Sequence, residues 1–103
     1  MASRTDLHLK LVSILGSDHV YFQPPESIKL QYPAFVYTRT SFPKKNADNT
    51  MYGHNVGYKV VYISRIADSE GIIKQVLETF PYSKYATPYV ADNLYHDVFE
   101  IYI

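Results

Sequence analysis

The last fifteen residues constrain the fold more than any other stretch of this chain. Three turn-forming residues, Ala91-Asp92-Asn93, precede a segment running to Ile103 in which apolar side chains recur at every second position. Asp and Asn favour turns because their side chains bond nearby backbone groups, and a period of two is typical of a strand. We therefore predict a long final strand that ends inside its sheet. One predicted face carries Tyr95, Asp97, Phe99, Ile101 and Ile103.

Size and composition favour a single globular domain, residues 1–103. The chain is 47% hydrophobic and 19% charged, which is outside the range of disordered proteins. It has no cysteine, which excludes disulfides and thiolate zinc sites. No secretory leader and no apolar run of about 18 residues is visible, so we expect a protein made in a reducing compartment and not bound to a membrane.

The first half of the chain predicts a helix followed by strands. Apolar residues at helical spacing lie between a cap at Ser3 or Thr5 and a terminator at Gly16. A short extended piece, 19–22, precedes two prolines, and the strand formers of 33–39 predict the first long strand. Residues 56–66 alternate again and predict the next strand.

Between these two strands lies a polar segment, residues 40–55, whose length exceeds that of an ordinary connection. We predict an extended loop at the tip of an antiparallel hairpin. A loop of this kind suits contact with another protein, and our candidate interaction residues all belong to it. They are Phe42, Lys44, Lys45, Asn46, Asp48, Tyr52 and His54.

The second half predicts a helix capped by Asp68 or Ser69 and ended by Pro81, then an extended segment, 83–90, and the final strand. The predicted order is α-β-β-β-α-β-β. This order indicates an α+β fold in which an antiparallel or mixed sheet packs against two short helices.

Charge is unevenly distributed although the net charge is zero. Residues 29–65 carry six cations against Asp48, whereas residues 66–103 carry six carboxylates against Lys74 and Lys84. If the two segments form opposite edges, identical subunits would pack head to tail with opposite charges facing. Mutual neutralisation within one subunit is an equal alternative.

No pattern of catalysis, metal binding or cofactor binding is present. The four histidines lack the spacing of a helical metal site, and the glycines form no phosphate-binding loop. His96 and Asp97 are strand neighbours that point to opposite faces, so they do not form a base and its orienting carboxylate. We expect no enzyme activity and no cofactor. Lys44 and Lys45 beside aromatic residues leave nucleic-acid binding open as a weaker alternative.

Several segments together resemble the small neck and tail proteins of long-tailed bacteriophages. They are 32–37, 58–63, 77–82 and above all Tyr89-Val90-Ala91-Asp92-Asn93-Leu94-Tyr95-His96-Asp97-Val98-Phe99. The chain is most similar to tail terminator, or tail-to-head joining, proteins of phages with non-contractile tails, and the resemblance covers residues 30–103.

The resemblance implies a structural virion protein that forms a closed ring, typically of six subunits, at the head–tail junction. The ring would end tail-tube polymerisation and meet the tail tube protein and the head connector or stopper protein, while DNA only passes through its lumen. It implies assembly in the cytoplasm of the host bacterium and a place in the tail or neck of the virion. The alternatives are a neighbouring head-completion, connector or minor tail protein, or a small nucleic-acid-binding domain.

Overall fold

The computed structural model describes residues 4–42 and 55–103, and it confirms the predicted α+β fold and element order. The helices are α1 (Arg4–Leu15) and α2 (Glu70–Thr79). The strands are β1 (Val20–Phe22), β2 (Ala34–Ser41), β3 (Gly57–Ser64), β4 (Tyr82–Ala91) and β5 (Leu94–Tyr102). They form one mixed sheet of spatial order β1-β2-β3-β5-β4.

The predicted hairpin is present, and the predicted Asp92-Asn93 turn closes a second one. β2 and β3 pair antiparallel and flank residues 43–54, which lie outside the described residues. β4 and β5 pair antiparallel through a two-residue turn, with Ala91 opposite Leu94. Asp92 and Asn93 both have positive φ, 53° and 61°, as a hairpin turn with left-handed central residues requires. The Asp-Asn pair therefore sets the register of the final strand.

The helices pack on one face of the sheet, which we call the helix face. There the alternation of β3 and β5 places Tyr58, Val60, Phe99 and Ile101 in a buried cluster with Leu7 and Leu11 of α1 and with Val76 of α2. Phe35 and Tyr37 of β2 join this cluster and are fully buried. The predicted covered face of the final strand is confirmed.

The opposite face of the sheet, the open face, has a smaller apolar cluster that the alternation did not predict. Val61, Ile63 and Val98 are buried there. Because β1 runs parallel to β2, the chain must cross back between them, and this crossover brings Leu30 and Tyr32 against the cluster. The crossover therefore covers part of the open face, on the β2–β3 side.

The structure corrects the predicted cap of α1 and confirms the predicted cap position of α2. Thr5 lies inside α1, which already includes Arg4, and Ser3 is outside the described residues. Ser69 occupies the N-cap position of α2, but its side chain makes no cap hydrogen bond. Its hydroxyl donates to a carboxylate of β5 instead, because that buried acceptor is within reach. The predicted terminator Gly16 has φ +79° and is confirmed.

Candidate interaction surface

Strand β4 forms one edge of the sheet and is its longest strand. Within residues 4–42 and 55–103 it pairs with β5 only, so its outer backbone edge has no strand partner there. Seven of its ten residues are exposed. A register shift between Tyr85 and Thr87 and the absence of an N–H on Pro88 interrupt regular pairing. These features limit uncontrolled strand addition, while side-chain contact remains available.

A buried carboxylate fixes β4 in place. Asp97 of β5 is only 7% exposed, and it accepts one hydrogen bond at each oxygen. The Ser69 hydroxyl donates to Oδ2 and the Tyr85 hydroxyl donates to Oδ1, both over 2.7 Å. The two bonds join the start of α2, the edge strand β4 and the inner strand β5. This arrangement stiffens the edge of the sheet and presents β4 as a defined surface.

The same network changes the acidity of Tyr85. Burial, the hydrogen bond to Asp97 and the negative charge of that carboxylate together raise the pKa of Tyr85 to about 12. Its phenol therefore stays a hydrogen-bond donor at any physiological pH.

His96, the neighbour of Asp97, lies on the open face, as its strand position predicts. Its Nδ1 lies 3.0 Å from the carbonyl oxygen of Leu94, and its ring stacks on Tyr89 at 4.4 Å between centroids. The structure thus confirms that His96 and Asp97 do not form a catalytic pair. Tyr89 and His96 form a stacked aromatic pair beside the edge of the sheet.

Exposed apolar side chains concentrate around β4. Nine large hydrophobic residues are exposed in the described part of the chain, and six of them fall within residues 66–103. Ile66 and Val90 are 71% and 64% exposed. Four of the six, Tyr82, Tyr89 and Val90 of β4 and Tyr95 of the adjacent β5, form what we call the β4 surface. A pocket of about 260 Å³ opens within it between Ala67, Val90 and Tyr95.

The sheet order places opposite charge on opposite sides of the molecule. Elements α1, β1, β2 and β3 form one side, the basic half, whose described residues carry six cations and three carboxylates. Elements α2, β5 and β4 form the other side, the acidic half, with six carboxylates and two cations. Two ion pairs lie within the acidic half: Lys74 pairs with Glu70, and Lys84 pairs with Glu100.

Of the predicted interaction residues, the structure describes only Phe42. Its side chain is 70% exposed at the end of β2, and the Arg39 guanidinium lies 5.7 Å from its ring centroid. The other predicted residues, Lys44, Lys45, Asn46, Asp48, Tyr52 and His54, lie outside the described residues. Phe42 therefore marks an apolar contact point beside the predicted loop.

One polar cluster lies under α1, away from β4. The Arg4 guanidinium donates to the Tyr37 hydroxyl over 3.1 Å, and that hydroxyl lies 2.8 Å from Nδ1 of His8. A hydroxyl group has one proton and two lone pairs, so the Tyr37 hydroxyl can accept from Arg4 and still donate to an unprotonated Nδ1 of His8. Burial and the nearby Arg4 charge lower the pKa of His8. The cluster holds α1 on β2.

The described residues contain no group of three or more His, Asp or Glu side chains placed to hold a metal ion. No helix within residues 4–42 and 55–103 is long and apolar enough to cross a membrane. The chain matches no protein-family model, no curated protein and no solved structure.

Sequence reasoning placed the interaction residues in the 40–55 loop and missed the β4 surface. The signal was present in residues 82–91, which carry a single charge, Lys84, and four aromatic or β-branched apolar side chains, Tyr82, Tyr85, Tyr89 and Val90. Such a segment reads equally well as an inner strand, and only the strand order shows that it is an edge.

Proposed function

We propose that this protein is a structural subunit that assembles into a closed ring, and that the ring ends the tail tube and joins it to the head of a long-tailed bacteriophage. The observation that carries the assembly role is the β4 surface, an exposed apolar patch on an ordered sheet edge. Exposed patches of this kind are typical of protein contact sites. The proposed role needs no catalytic group and no cofactor.

The separation of charge supports a ring over a two-fold dimer. A two-fold contact centred on the β4 surface would bring that surface of both copies together, so one acidic half would face the other. A head-to-tail contact brings the acidic half of one copy to the basic half of the next. Repeated head-to-tail contact closes into a ring when the rotation fits.

The place of the ring in the virion rests on the resemblance of residues 30–103 to tail terminator proteins. In that role Phe42 and the adjoining 43–54 segment would contact the tail tube protein or the head connector. A neighbouring connector or minor tail protein would use the same kind of ring, and its binding partner separates the two roles.

Native mass spectrometry with negative-stain imaging tests the ring, and we expect a closed species of about six subunits. A wild-type chain that stays monomeric at its highest soluble concentration would refute this part of the proposal. The terminator role is tested by adding the protein to polymerising tail-tube protein. We expect tubes that stop growing and carry a ring at one end.

Binding to the connector alone, with tube growth unchanged, would instead place the protein on the head side of the junction. Retention on a DNA column that salt abolishes would favour the nucleic-acid-binding alternative, because phosphate contacts depend steeply on ionic strength. Lys44→Glu with Lys45→Glu is the variant for that arm.

A further inference from the structure

The faces through which neighbouring subunits meet can be assigned from the chemistry of the two halves. This inference rests on the proposed ring and names its subunit contact. The β4 surface is the starting point, because it combines exposed apolar side chains with a rigid edge. Protein contact sites have a desolvated apolar centre and a polar rim.

The apolar centre consists of Val90 and Tyr95, which pair in register next to the turn of the β4–β5 hairpin and lie on the same face as Asp97. Tyr85 and Asp97 anchor this part of β4 from the helix face over 2.7 Å. Contact residues held by a fixed backbone lose less conformational freedom on binding than residues of a mobile loop. The centre is therefore well suited to a permanent contact.

The rim of this surface is acidic. Asp68 precedes α2, and Glu70 and Glu78 lie exposed on α2 itself. Lys74 neutralises Glu70 over 3.5 Å, which leaves Asp68 and Glu78 without a described ion-pair partner. A partner for this rim should present cations.

The basic half of the same chain presents them. Lys29 and Lys59 are exposed, and so are Arg39 and Arg65. The guanidinium of Arg39 lies 5.5 Å from the Phe22 ring centroid, and that of Arg65 lies 5.6 Å from the Tyr32 ring centroid. These two cations are held against aromatic rings and have no described carboxylate partner, so they remain available to an acidic surface.

We propose that the β4 surface of one copy binds the basic half of a second copy, so that the acidic rim around β4 faces the exposed cations Lys29 and Arg39. The contact is head to tail. Each subunit then uses its acidic half toward one neighbour and its basic half toward the other. A second copy is the fitting occupant because like halves would repel and unlike halves attract.

A charge-exchange experiment tests this assignment on the full chain. The first variant, Asp68→Lys with Glu70→Lys and Glu78→Lys, makes the acidic half positive. The second variant, Lys29→Glu with Arg39→Glu and Lys59→Glu, makes the basic half negative. Each variant alone then has two halves of like sign, and we expect at least a roughly tenfold rise in the protein concentration needed for assembly.

Mixing the two variants should restore assembly. In an alternating ring every contact again joins a positive half to a negative half. We expect native mass spectrometry to show mixed rings with equal numbers of both variants. If a multiple variant does not fold, as judged by far-ultraviolet circular dichroism, the single variants Glu78→Lys and Lys29→Glu should show a smaller effect in the same direction, because each weakens the attraction between unlike halves without reversing it.

The outcomes separate this inference from the proposed function. If each variant alone forms rings at the same protein concentration as the wild type, the assignment of faces is overturned and the proposed ring is left intact. Variants that fail alone and also fail when mixed would overturn it as well. A monomeric wild type would overturn the ring and this inference together.

Discussion

The Asp97 network offers the sharpest test of how this fold holds its edge strand. Replacing Asp97 by Ala removes the acceptor of two hydroxyl groups, each 2.7 Å from a carboxylate oxygen. A hydrogen bond to a charged group contributes about 1.5–3 kcal/mol to stability. Tyr85 is half-buried, so water can replace the carboxylate at its hydroxyl, whereas Ser69 is buried and loses its only described side-chain partner.

The two bonds therefore sum to about 3–5 kcal/mol, with Tyr85 at the low end. The substitution also relieves the cost of keeping a carboxylate out of water, which offsets part of the loss. We expect Asp97→Ala to lower the free energy of unfolding by about 3 kcal/mol. Asp97→Asn retains an acceptor and gains a donor, so we expect about half that loss.

Urea denaturation followed by far-ultraviolet circular dichroism measures both values. Glu100→Ala is the matched control on the same strand, because its pairing with Lys84 is exposed and should contribute less than about 1 kcal/mol. A double-mutant cycle with Tyr85→Phe isolates the second bond. The reasoning is refuted if Asp97→Ala costs no more than Glu100→Ala.

Three further outcomes follow from the structure. The pKa of His8 is lowered below 6.5, so the unfolded state binds a proton more readily than the folded state does. Thermal stability should therefore fall as the pH drops below 6.5. In parallel melting experiments, His8→Gln should make the melting temperature depend less on pH. Because the pKa of Tyr85 is raised from 10.0 to about 12, stability should fall as pH rises through that window, and an alkaline titration of Tyr85→Phe should show a shallower loss. A Cβ at Gly57 would lie 2.9 Å from Cε2 of Tyr102, so Gly57→Ala should lower the free energy of unfolding, measured by urea denaturation, by about 1–3 kcal/mol. A Cβ at Gly71 of α2 would meet no atom within 4 Å, so Gly71→Ala should raise the same free energy by about 0.5–1 kcal/mol. If Gly57→Ala and Gly71→Ala change the free energy of unfolding equally, both of these predictions are wrong.

The elements themselves were predictable because their signals are local. The Asp92-Asn93 turn, the Gly16 terminator and the alternation along 56–66 depend on backbone preferences within a few residues. The fold class and the order of elements followed from them. Faces along β3 and β5 also followed, since a period of two fixes which side chains lie together.

Side-chain partners were not predictable in the same way. Ser69 was predicted as a cap because its position before an apolar run is typical of one, yet Asp97, 28 residues away, captures its hydroxyl. The β4 surface was missed for a similar reason. The same apolar sequence pattern is typical of a strand at the centre of a sheet and of a strand at its edge.

The amino-acid sequence by itself determined the order and type of the helices and strands, that no cysteine chemistry is available, and that opposite charges fall in different segments. Only the tertiary structure decided that β1 runs parallel to β2, that Leu30 and Tyr32 cover a second apolar cluster, and that the basic and acidic segments occupy opposite sides of one sheet. The reason is physical. Turn chemistry and periodicity act between near neighbours, whereas strand order and burial depend on contacts between residues far apart in the chain.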